Sequence, residues 1–300
     1  MFRTVYVSQG QQLNIKNNWL IIKDDSKNSA IPLDDIQALI IDNLQTMISS
    51  YTLCMLAKNG INTILCNDKH LPACNILSLN NHYKSSSVLK NQISLSKNIK
   101  DILWQNIIDA KISNQIKVLQ LNNVDDFILS KLKQLKLTLL PGDTTNREAV
   151  CSRIFFYQLY GKNFKRFNYD NLNIALNYGY SIIRTAIARS LTVHGYNCAL
   201  GIHHKNQFNS FNLADDFIEP FRPLVDLYIH KNQKIFLEKL TKKHRLLLIN
   251  LLNHTVLLKN KQFKLYIAID KYINSFTAYI NSQNIDNFLL PNSDREVLVS

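Results

Sequence analysis

Three hundred residues suit one large domain or two of ordinary size. With 46% hydrophobic residues the chain can bury a core, which excludes a disordered polymer. The net charge of +13 is unevenly spread: residues 1–80 carry six basic and six acidic side chains, so the whole excess lies beyond residue 80. Such an asymmetry points to a polyanionic partner for the second part and a different task for the first.

Other classes fall away on simple grounds. No charged-then-apolar leader opens the sequence, so no export signal is expected. The most apolar run, Leu246 to Leu258, is interrupted by Asn250, Asn253 and His254. It is too broken for a membrane span and reads as a buried helix. The cysteines Cys54, Cys66, Cys74, Cys151 and Cys198 form no Cys-x-x-Cys pair, which argues against a zinc site and fits a reducing, cytoplasmic setting.

In chain order, the first segment reads as β-rich. Thr4–Ser8, Gln12–Lys16 and Trp19–Lys23 are short strands, with a tight turn at Asn17-Asn18, because Asn tolerates positive φ. Ala38–Ile41 and Thr63–Cys66 are further strands, and a short helix over Ser50–Asn59 ends at Gly60. Nothing here looks chemical, and a neutral β-rich domain over 1–80 suits docking or dimerisation. The polar stretch 81–87 reads as a linker. Beyond it, apolar residues recur at helical spacing (Ile102, Ile107, Ile108, Ile112, Ile116), so 88–300 is expected to be an all-α domain. The fold class is therefore α+β, with a small β-rich domain followed by a larger helical one.

After the break at Leu140-Pro141-Gly142-Asp143, a helix opens near Thr144 and closes at Gly161. Thr145-x-x-Glu148 fits a capping box, in which the glutamate only satisfies the helix end. A functional role for Glu148 stands level with that reading. Arg153, Phe155, Phe156, Tyr157, Lys162, Phe164, Lys165, Arg166 and Phe167 interleave bases with aromatics, a pattern that grips phosphates and stacks on nucleobases. A long helix from Asn171 to about Gly195 carries Arg184 and Arg189, and Lys231–Arg245 reads as a basic helical face. Between these lie Gly201-Ile202-His203-His204 and Phe211–Glu219, where two imidazoles and three carboxylates share one short stretch. Asp216 and Glu219, or Asp215 and Glu219, would share a helix face. Oxygen ligands with one imidazole suit a Mn²⁺-like ion, but His204 and Glu219 alone leave it under-coordinated.

From Tyr178 through Gly201-Ile202-His203-His204 and Asn212–Pro223, the sequence resembles the CRISPR-associated integrases of the adaptation module, the first-numbered ("Cas-one") family. The compact length and the Asn206–Phe211 insert resemble the branch found with type II effectors. The family pattern is a Glu at one helix start, a Gly-x-x-His, and an Asp-x-x-Glu, here matched by Glu148, by His204 after Gly201, and by Asp216 with Glu219. His203 departs from a position often apolar in the family, and the spacing selects His204. The resemblance implies a single Mg²⁺ or Mn²⁺ held by Glu148, His204 and Glu219 as catalytic residues, with Asp216 as a supporting carboxylate. Arg147, Arg153, Lys162, Lys165, Arg166, Arg184, Lys205 and Arg222 are the expected DNA contacts. The resemblance also implies a homodimer bridged by a small ferredoxin-like partner, the second-numbered Cas protein. The reaction implied joins 3′-hydroxyl ends of short DNA fragments to the repeat array by phosphodiester exchange. A branched-DNA repair nuclease and a non-catalytic DNA-binding scaffold are the alternatives.

Overall fold

The computed structural model describes residues 3–23, 28–70, 72–76, 78, 84–259 and 261–292. It divides into two compact units, Met1–Ser85 and Ser86–Ser300. The polar segment 81–87 lies partly outside the described residues, and its last three residues are helical rather than linker, since α2 spans Ser85–Ser94.

The first unit is strand-rich, as its alternating sequence requires. One sheet runs β1 (Arg3–Val7), β5 (Ile36–Ile41), β7 (Asn62–Cys66) and β8 (Pro72–Ile76), with only β8 antiparallel to its neighbour. The other runs β4 (Asn28–Pro32), β3 (Trp19–Lys23), β2 (Gln12–Lys16) and β6 (Met47–Ile48). Strands β2 and β3 form the expected hairpin, Asn17 and Asn18 taking φ of 50° and 61°. Val5, Val7, Leu13, Leu20, Leu39 and Ile41 meet in one core, joined by Leu56 of α1 (Ser50–Lys58). One feature escaped the sequence reading. Asp42, buried after β5, accepts from the Tyr6 hydroxyl and lies 2.7 Å from His70 Nδ1. A buried carboxylate needs such partners.

The second unit is built on α3 (Lys97–Leu121), buried around much of its circumference. Against it pack α4 (Asp126–Leu137), α5 (Arg147–Tyr160), α8 (Arg222–Lys231) and the 3₁₀ turns Pro141–Asp143 and Glu219–Phe221. The remaining helices are α6 (Asn171–Val193), α7 (Asn212–Phe217), α9 (Gln233–Phe236), α10 (Lys242–Ile249) and α11 (Leu265–Ser282). The unit is not all-α. Strands β9 (Thr255–Leu258), β10 (Lys261–Lys264) and β11 (Pro291–Asn292) make a three-stranded sheet. The apolar run 246–258 is accordingly the end of α10, a 3₁₀ turn and β9, because its three polar interruptions break helical burial and the strand finds two partners. The basic stretch 231–245 is likewise no single face. It spans the end of α8, all of α9 and the start of α10, and Arg245 is buried.

Helices α6 and α8 approach so closely at Gly179 that an added Cβ would lie 2.6 Å from Val225 Cγ1. Beside this crossing Asp226 is buried and accepts from the Tyr180 hydroxyl. Burial pushes its carboxyl up to about 7, although the Tyr180 bond and the Arg166 guanidinium pull the other way. Below about pH 4 this group is neutral whether folded or unfolded. Between there and pH 7 only the unfolded chain releases the proton, so stability falls as pH rises, by roughly 4 kcal/mol once both states are ionised. The Asp226→Asn variant should therefore gain stability relative to the parent as pH goes from 5 to 8. Thermal melts across that range check this, and a difference independent of pH refutes the assignment.

Candidate metal and nucleic-acid site

Glu148 stands in the first turn of α5, where a capping role was one expectation. The structure gives that role to Asp143, whose carboxylate accepts the backbone N–H of Arg147 at 2.7 Å and of Glu148 at 2.9 Å. The residue at the helix boundary is Asn146, left-handed at φ 52°, rather than Thr145. Freed from capping, the Glu148 side chain turns to Ser152, which donates to Oε1 at 2.9 Å, and to the ammonium of Lys111.

Glu219 begins the 3₁₀ turn that links α7 to α8 and is buried. Its Oε2 accepts from the same Lys111 ammonium, and its Oε1 accepts from Arg222 Nε at 2.8 Å. Burial would raise the Glu219 carboxyl, but Arg222 and Lys111 outweigh it and hold the group down at about 2. Burial likewise draws Lys111 down, and Glu219 and Glu148 more than offset this, so its net shift is upward. Two carboxylates from distant parts of the chain thus converge on one buried cation. The sequence reading missed Lys111. The available signal was its place on α3: a lysine four residues after Ile107 and three after Ile108, on the face that the apolar period buries.

His204 sits in the loop between α6 and α7, and Asp216 builds that loop. The buried Asp216 carboxylate accepts the backbone N–H of Ile202 at 2.5 Å and of His203 and His204 at 3.1 Å each. It also accepts from His204 Nδ1 at 2.7 Å. A carboxylate only accepts, so Nδ1 carries the proton and Nε2 is the ring nitrogen left for another partner. This bond, opposed by partial burial, raises the His204 pKa. His203 has a different environment. Its ring stacks on Trp104 of α3, with centroids 4.2 Å apart and planes within 4°, and burial lowers its pKa. Trp104 meets His204 edge-on at 5.7 Å.

The expected site residues thus fall into two adjoining groups. Glu148 and Glu219 come together at Lys111, while Asp216 is committed to His204 and its loop. Among the described residues, no three His, Cys, Asp or Glu side chains are gathered closely enough to hold an ion. Of the expected DNA contacts, Arg153, Lys162, Lys165 and Lys205 are exposed. Arg166 is engaged with Asn173 and Asn177, and Arg184 lies 3.6 Å from Asp215 and over the Phe211 ring. Arg222 is held by Glu219 and lies over the Tyr180 ring, and Arg147 is partly buried. Phe167, Tyr169 and Phe208 are highly exposed, open faces on which a base could stack.

Gly201 explains the Gly-x-x-His spacing. An added Cβ would lie 2.3 Å from the His204 carbonyl oxygen and 2.9 Å from Asp216 Oδ2. Gly201→Ala should force the loop off Asp216 and cost roughly 1–3 kcal/mol, as overpacking does. Chemical denaturation measures this, and an unchanged midpoint means the loop has room to spare.

A family model described as CRISPR associated protein Cas1 matches residues 5–144 and 160–266, leaving Glu148 in the stretch between. The chain is 35% identical over 292 residues to the CRISPR-associated endonuclease Cas1 of Neisseria meningitidis serogroup C (strain 8013), covering 97% of this chain and 96% of that protein. In fold it is similar to a casposase bound to integration product, with a TM-score of 0.73, 15% identity, and coverage of 94% of this chain and 92% of the other. It is also similar to part of a Cas6-RT-Cas1–Cas2 complex, with a TM-score of 0.73 and 19% identity, covering 96% of this chain and 36% of that longer one. The chain belongs to the family of CRISPR-associated Cas1 proteins.

Proposed function

We propose that this chain is a metal-dependent DNA integrase and endonuclease of CRISPR adaptation, joining 3′-hydroxyl ends of short DNA fragments to the repeat array by phosphodiester exchange. The observation that carries the reading is the convergence of Glu148 and Glu219 on one buried cation, beside an imidazole whose Nδ1 is tied to Asp216. The donor set suits a hard divalent ion: carboxylate oxygens already aimed at a positive charge, and a histidine oriented through its other nitrogen. Glu148, Glu219 and His204 would hold the ion. When bound, it would supply Lewis-acid polarisation of a non-bridging phosphate oxygen and activation of a hydroxyl or water.

The chain's own residues supply the rest. Asp216 fixes the His204 ring and its loop, and Arg222 fixes the second oxygen of Glu219. The exposed Arg153, Lys162, Lys165 and Lys205 carry charge suited to a phosphate backbone. Exchange of one phosphodiester for another needs no nucleotide cofactor, and water in place of the 3′-hydroxyl makes the same site a nuclease. The name endonuclease carried by the Neisseria relative and the integration product held by the structurally similar casposase support both outcomes. The Cas1–Cas2 complex similar in fold supports a small second-numbered Cas protein as partner, and the neutral segment 1–80 is the surface proposed for pairing protomers.

Glu148→Gln, Glu219→Gln and His204→Ala should each lower Mn²⁺- or Mg²⁺-dependent joining of a 3′-hydroxyl duplex by a hundredfold or more, read as donor-strand transfer on a gel. Full joining by any one of them removes that residue from the proposed centre. A parent protein that cleaves branched DNA whether or not a 3′-hydroxyl donor is present, and joins no donor strand, is instead a repair nuclease. DNA affinity should also fall steeply with salt. A flat response between 50 and 200 mM salt, the range over which several phosphate contacts cost orders of magnitude, argues against a basic DNA surface on 86–300.

A further inference from the structure

The structure assigns Lys111 a role that rests on the metal-centre reading above: we propose that its ammonium is the resident counter-cation of the carboxylate pair, exchanged for the divalent ion when the site loads. The geometry makes the two cations mutually exclusive. The ammonium bonds to Glu148 Oε1 and to Glu219 Oε2 at once. An ion bound by the same two oxygens, at the roughly 2.0–2.1 Å that Mg²⁺ requires, would fall on nearly the same point in space.

Charge leads to the same conclusion. Glu148 and Glu219 are already balanced by Lys111 and Arg222. A divalent ion added with the ammonium still in place would leave a buried excess of two positive charges, which burial makes prohibitive. Lys111 can leave, because its charge sits on a flexible four-carbon stem. Arg222 cannot substitute, because its contact is with the outer oxygen of Glu219 and its guanidinium lies over the Tyr180 ring. Lys111 comes from α3, which also places Trp104 against His203 and His204, and its neighbour Gln115 holds Ser152 at 3.1 Å. In the ion-free protein this lysine keeps two like charges assembled. It also sets the ion concentration at which they can be used.

The test is Mn²⁺ binding, followed by loss of the free-ion EPR signal on the full chain without DNA. Lys111→Met should bind Mn²⁺ at least tenfold more tightly than the parent, and should melt at a lower temperature in chelator. Lys111→Arg, which keeps a cation between the carboxylates, should bind no more tightly than the parent. Should Lys111→Met fail to fold, Lys111→Gln takes its place, since its amide can still donate to a carboxylate without charge. Equal or weaker Mn²⁺ binding by the neutral variant overturns the exchange. If the parent binds Mn²⁺ and Glu148→Gln with Glu219→Gln abolishes this, the metal centre stands and only the exchange has failed. Binding to neither the parent nor the neutral variant overturns both.

Discussion

Two carboxylates held side by side, Glu219 buried and Glu148 partly so, repel one another, and burial strengthens the repulsion by removing the water that would screen it. Here one lysine resolves it. Lys111 reaches from the central helix into the gap between Glu148 and Glu219, and Arg222 donates to the remaining oxygen of Glu219. Removing one partner from such a cluster leaves an uncompensated buried charge, which costs about 3–5 kcal/mol. The cluster therefore ties α3, α5 and the Glu219 turn into one arrangement, and the chemistry proposed for the site depends on that arrangement being in place before any ion arrives.

A second constraint governs the imidazole. Asp216 gathers three successive backbone amides and the His204 ring onto one carboxylate, which fixes both where the loop runs and which ring nitrogen is left over. The close passage of the His204 carbonyl past Gly201 is the steric counterpart. Asp216 thus orients the histidine ring from behind, through Nδ1. His203, one position earlier, is spent on a stacked contact with Trp104, so adjacent residues of the same type do different work.

The charge distribution follows the same division of labour. Residues 1–80 of the first unit are electrically neutral, and that unit's core is made by two sheets closing on Val7, Leu13, Leu20 and Leu39. The second carries the net positive charge, and part of that charge is consumed internally. Arg166, Arg184 and Arg222 hold amides, carboxylates and aromatic faces, whereas Arg153, Lys162, Lys165 and Lys205 stay exposed. A basic composition therefore overstates the number of side chains free to meet a phosphate backbone.

Local patterns determined much of this protein. Period-two alternation and the paired asparagines specified the β2–β3 hairpin, the 3.6-residue period specified α3 and α6, and the Pro141-Gly142 break with the closing Gly161 specified α5, because those signals act between near neighbours. The spacing of Gly201, His204, Asp216 and Glu219 likewise picked out residues that the fold gathers into two adjoining groups. Tertiary structure alone decided what each of these residues touches. That Asp143 rather than Thr145 caps α5, that the run 246–258 ends in a strand, and that a lysine 37 residues before Glu148 and 108 before Glu219 lies between them all depend on contacts across long stretches of chain. Periodicity records which face of a helix is buried. It does not record which partner the fold brings to that face, because that partner arrives from elsewhere in the sequence.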